Sequence, residues 1–136
     1  IFHNNIEIAP QTMLYTGNQW ASRFSSFWMV PEIHNGLTQN PSAHIGRTKA
    51  QTLQKKYTEF VKTDMARYRP DLIILMRNFY FTDGKKFDFI SFFDLSADIK
   101  SYEKVDALIM DQGAYFAGTN LSSAPQLEYD IYKKRR

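Results

Sequence analysis

The stretch "TKAQTLQKKYTEFVKTDMARYRPDLIILM", Thr48 to Met76, changes period part-way along, and that change decides the fold. Leu53, Tyr57, Phe60, Val61, Asp64, Met65 and Tyr68 recur at three- and four-residue steps, which predicts a helix over Thr48 to Tyr68. Pro41 and Ser42 offer it a start. Pro70 stops it, because proline has no N–H to give the helix ladder and biases Arg69 toward extended geometry. Asp71 to Met76 is then apolar on both faces and too short for a helix, the pattern of a buried central strand. Lys55, Lys62 and Arg69 fall at seven-residue spacing on the other helix face and read as a solvated stripe, since no aromatic residues interleave with them.

Working outward, "HNNIEIA" (His3 to Ala9) alternates weakly around Ile6 and Ile8 before Pro10 ends it, a first strand. Strand, helix and buried strand in that order imply a right-handed parallel crossover. Gln11 to Pro41 is rich in Asn, Gly, Pro and Ser and is expected to be mostly loop, with one helical turn around Ala21 to Phe27. Downstream, "FDFISFF" puts Phe87, Ile90 and Phe93 on one helical face, and Ser96 is a fitting cap for a short second helix in "SADIKSYEK". Val105, Ala107 and Ile109 alternate with Asp106 and Leu108, and Leu127, Tyr129 and Ile131 alternate with Glu128, Asp130 and Tyr132. These two strands are expected to pair antiparallel around the long tip "QGAYFAGTNLSSAPQ". The expected class is α/β: a small sheet with a parallel crossover and a C-terminal antiparallel hairpin, with helices packed on it.

The chain has 136 residues, of which 43% are hydrophobic and 15% aromatic, enough to build one folded domain spanning residues 1–136. Its start at Ile1, in what reads as a strand, suggests excision from a longer protein. No apolar run reaches the ~18 residues of a membrane span. The formal charge of +3 is set largely by Lys133, Lys134, Arg135 and Arg136, so it carries no argument for nucleic acid, and no nucleic-acid partner is expected. That tail could touch an anionic lipid surface or be a frayed end. With no cysteine there is no disulfide, thiol nucleophile or Cys-based zinc site.

Sequence signals for chemistry are sparse. There is no GxGxxG, no P-loop lysine in "GTNLSS" and no GxSxG elbow, so no nucleotide cofactor or hydrolase triad is indicated. His3, His34 and His44 are not at metal spacing and read as surface or capping histidines; no metal is expected. Asn120-Leu121-Ser122 fits a glycosylation sequon of low specificity. Asp83, Asp88 and Asp94 read as turn and helix-start residues, though they could approach the carboxyl end of the buried strand, where α/β sheets bind ligands. A small enzyme at that end would use Arg77, Asn78 and Asp83. In the long connection, Trp20, Phe24 and Trp28 recur every four residues with Arg23 beside them. Two readings stand for this ridge. It packs on the sheet, or the tryptophans stack on a sugar ring while Arg23 pairs with a phosphate or carboxylate. The candidate ligand-binding residues are Trp20, Arg23, Trp28, Arg77 and Asn78.

"YTGNQWASRFSSFWMVP", followed by "DMARYRPDLIILMRN", "FDFISFF" and a closing "LEYDIYKKRR", resembles the soluble C-terminal region of a family of bacterial multi-pass inner-membrane proteins. These are related to lipid-linked-sugar glycosyltransferases of the dolichyl-phosphate-mannose-protein mannosyltransferase type. The likeness spans about the whole chain and is carried by the block Tyr15 to Pro31. Arg77-Asn78 departs from it, standing where an acidic residue often ends the strand, and the hairpin tip is longer than usual. The resemblance implies a non-catalytic extracytoplasmic accessory domain of an integral-membrane transferase that uses a polyprenyl-phosphate sugar donor. It further implies a place on the periplasmic side of the inner membrane, attachment through upstream spans, and contact with a glycan or protein acceptor. The family's acidic catalytic residues lie in membrane loops outside this chain, so none carries over; Trp20, Ser22, Arg23, Phe24 and Trp28 carry over as a structural or acceptor-facing element. The alternative is a free-standing periplasmic ligand-binding or sensing module.

Overall fold

A computed structural model describes residues 2–3, 19, 21–23, 27, 29–77, 87–110 and 127–136. In chain order the elements are β1 (Phe2–His3), α1 (Val30–Thr38), α2 (Arg47–Tyr68), β2 (Leu72–Met76), α3 (Phe89–Phe92), a 3-10 turn (Asp98–Ser101), β3 (Tyr102–Met110) and β4 (Leu127–Lys134). The sheet order is β1-β2-β4-β3. It is a mixed α/β fold, as the sequence leads one to expect.

The organising feature of the sheet differs from the expected crossover. β4 runs antiparallel between β2 and β3, and among the described residues parallel pairing is limited to Phe2 opposite Ile73 and His3 opposite Ile74. The C-terminal hairpin therefore supplies the main partner of the central strand. β2 is central and buried on both faces through Ile73, Ile74, Leu75 and Met76, as its unbroken apolar run requires. The remainder of the expected first strand lies outside the described residues, as does the hairpin tip.

Helix α2 starts one residue before the expected Thr48 and is preceded by Gly46 in extended geometry rather than by Pro41 or Ser42. Helix α1 replaces the expected loop. Val30, Ile33 and Gly36 form its buried face, and Pro31 in its first turn sacrifices an N–H that has no helical partner there. Gly36 is a contact residue rather than a breaker: a Cβ there would lie 2.8 Å from Ala50 Cβ on α2 and 3.0 Å from Ile45. Its missing side chain lets the two helices approach closely, and Asn35-Gly36, a turn signal in isolation, is absorbed into the helix.

A cluster of phenylalanines closes the core. Phe27 meets Phe89 edge-on at 5.1 Å between ring centres, and Phe93 lies 4.8 Å from Phe89. Helix α3 is only one turn, capped by Asp88, whose carboxylate accepts the Ser91 backbone N–H at 3.0 Å. The expected second helix is a 3-10 turn that gives way to β3 at Tyr102. The buried Tyr102 hydroxyl donates to the Pro70 carbonyl at 2.7 Å and so ties the start of β3 to the start of β2. The regular alternation expected in β3 is broken by a bulge at Val105, where the register with β4 shifts between Lys104 and Asp106.

Candidate functional site

Two clusters contain the described members of the predicted site. The first is at Arg23. Its Nε and Nη2 reach Asp64 Oδ1 at 3.0 and 2.8 Å, and its backbone N–H donates to Asp64 Oδ2 at 2.8 Å. Asp64 belongs to α2 and is 2% exposed, while the guanidinium also lies 4.5 Å from the centre of the Phe60 ring. The hydrogen bond with Asp64 raises the pKa of Arg23 above its ordinary value. This geometry is a bidentate clasp that holds the segment around residue 23 on α2. In the sequence Asp64 counted only toward the helical period; a carboxylate on the apolar stripe of a helix calls for a cation from another segment, and that signal could have located it.

The second cluster is at the carboxyl end of β2. Arg77 Nε lies 3.3 Å from Asp130 Oδ2, and its Nη1 lies 3.9 Å from Glu128. Lys104 Nζ contacts Asp130 Oδ1 at 2.6 Å as an ion pair off the hydrogen-bond direction. The sheet register explains the meeting: Asp130 stands opposite Leu75, and Lys104 opposite Tyr132, so these groups share one face. Asp88 approaches the same charges. Burial pushes its carboxyl up, but hydrogen bonds from Ser91 and Ile90 and the charge of Arg77 hold it below the ordinary value. Burial first, and then the charges of Asp130 and Asp88, push the Tyr132 hydroxyl up.

Chemically, the buried Asp130 is bracketed by two cations, an arrangement that holds three elements in register. Of the predicted site residues, the structure places Arg23 and Arg77 in separate clusters, and Trp20, Trp28 and Asn78 lie outside the described residues, as do Phe24 and Asp83. Asp64, Lys104, Asp130 and Tyr132 complete the two clusters and had not been singled out as site residues. The predicted Lys55-Lys62-Arg69 stripe is split: Lys62 donates to Asp94 at 2.8 Å, while Arg69 sits beyond the helix end in left-handed geometry. His34 is packed rather than a plain surface residue, its ring 6.0 Å from that of Phe87, and His44 is paired with Glu32. Among the described residues, no group of three or more His, Asp or Glu could hold a metal, and no helix is long and apolar enough to cross a membrane. No family model, curated protein or solved structure matches the chain.

Proposed function

We propose that the chain is an extracytoplasmic accessory domain of an integral-membrane glycosyltransferase that uses a polyprenyl-phosphate sugar donor, contributing no catalytic group itself. The observation that carries this reading is the Arg23–Asp64 clasp. Two separate parts of the resemblance, "WASRFSSFW" and "DMARYRP", meet in it, so the spacing of the two blocks serves a common three-dimensional purpose. In this reading the spans lie upstream of Ile1, the domain sits on the periplasmic side, and it contacts a glycan or protein acceptor.

The reading frame upstream of Ile1 tests this directly. Several membrane spans are expected there; a signal peptide immediately upstream would overturn the proposal in favour of a free-standing binding module. A second measurement incubates the isolated chain with a radiolabelled polyprenyl-phosphate sugar. Release or transfer of label by the chain alone would contradict an accessory role.

A further inference from the structure

At the amino end of β2, opposite the Arg77 cluster, the end of α2, the 3-10 turn, the start of β3 and the end of β4 surround an open cleft of about 400 Å³. Met65 and Tyr102 contribute to its walls, and Arg69, Ser101, Lys134 and Asp98 bring polar groups to it. This volume falls in the range of small-ligand sites. Unlike Arg23, Arg77 and Lys62, the cations Arg69 and Lys134 have no carboxylate or hydrogen-bond partner for their side chains among the described residues.

A second observation concerns the backbone at Arg69, which shares a positive φ with Gln39 and Asp94 among the described residues. It ends α2 with φ 42° and ψ 58°, a left-handed conformation that glycine adopts freely and arginine does not. It also precedes Pro70, which biases its neighbour toward extended geometry. An arginine is thus held where glycine would cap the helix better, at a position that lines the cleft.

We propose that this cleft is an anion site for a phosphate group, with Arg69 and Lys134 supplying charge and the Ser101 hydroxyl, which donates to the Asp98 carbonyl at 3.4 Å, turning to become a further donor. Planar guanidinium and ammonium groups flanking one recess match a phosphate's oxygens. Asp98 limits how much negative charge the site accepts. Its field already acts on Lys62, where it adds to the raising effect of Asp94, so removing its charge leaves the cleft more favourable to an anion. The phosphate can belong to a lipid headgroup or to a free phosphate compound, and the cleft chemistry is common to both. This inference stands on the cleft and is independent of the glycosyltransferase reading.

The test is a titration of the 136-residue chain with inorganic phosphate, followed by amide NMR shifts. Saturable shifts at Met65, Ser101 and Tyr102 are expected. Arg69→Gly separates binding from folding, because it relieves backbone strain while removing the guanidinium. The variant is expected to unfold at a higher temperature yet bind phosphate about tenfold more weakly. Asp98→Asn is expected to bind more tightly. Co-sedimentation with vesicles of phosphatidylcholine, with and without phosphatidylglycerol, identifies the source: Arg69-dependent binding to the anionic vesicles assigns a lipid headgroup, and phosphate binding without vesicle binding assigns a free phosphate compound. No saturable shift at the cleft, or unchanged phosphate binding by Arg69→Gly, overturns the proposal.

Discussion

The two ends of β2 handle positive charge in opposite ways. At the carboxyl end, Arg77 and Lys104 converge on Asp130, which is 8% exposed and needs both cations to offset its lost hydration. At the amino end, Arg69 and Lys134 line an open cleft that Asp98 shares, and among the described residues neither side chain has an ion-pair partner. The difference teaches that a cation's role here depends on the carboxylate it faces. A buried carboxylate turns an arginine into a strut, and an open recess leaves it available.

That contrast breaks most readily at Asp130. Asp130→Asn keeps the volume but removes the shared counter-charge, and a stability loss of about 1–3 kcal/mol in urea unfolding is expected. Equal stability of the variant would show that the carboxyl-end cluster is not a strut. Arg69→Gly at the other end should have the reverse sign, a gain of about 1 kcal/mol from relief of left-handed strain. A loss there would mean that Arg69 itself braces the fold.

Asp88→Ala should cost about 1 kcal/mol at pH 7 through loss of the α3 cap. Because the folded-state pKa of Asp88 lies below its ordinary value, its contribution is present above the unfolded pKa of about 3.9 and disappears as pH falls through the folded value. The gap between wild type and variant should therefore close as urea titrations move from pH 7 toward pH 3, and a gap independent of pH would argue against a charged cap. The smallest effect is expected for Lys134→Ala, within about 0.5 kcal/mol, as for a side chain with no hydrogen-bond or ion-pair partner among the described residues. A larger loss would erase the distinction between the two ends.

How much of this could be read beforehand follows from what each residue interacts with. Helix α2 and strand β2 were legible because their signals are periodic and local, and the hairpin strands because Tyr129 and Ile131 alternate with polar neighbours. Helix α1 was hidden because Pro31, Asn35 and Gly36 mean "loop" until α2 is known to pass within contact of Gly36. The bulge at Val105 was invisible for a similar reason, since it is a property of pairing with β4. Arg23 stood out as a cation beside an aromatic ridge, whereas Asp64 counted only toward the period of α2. Joining them required a contact across 41 positions of sequence, which no local pattern encodes.

One small contact bears on how such a chain can diversify. The Phe87 N–H donates to the Arg77 carbonyl, so the backbone departs from β2 and returns at nearly the same point. Closing a chain between two points already joined costs free energy that grows only slowly with its length, about 0.6 kcal/mol per doubling. The Arg77–Phe87 join thus fixes both ends at the sheet whatever the length between them. Engineering new recognition into this scaffold would best begin there.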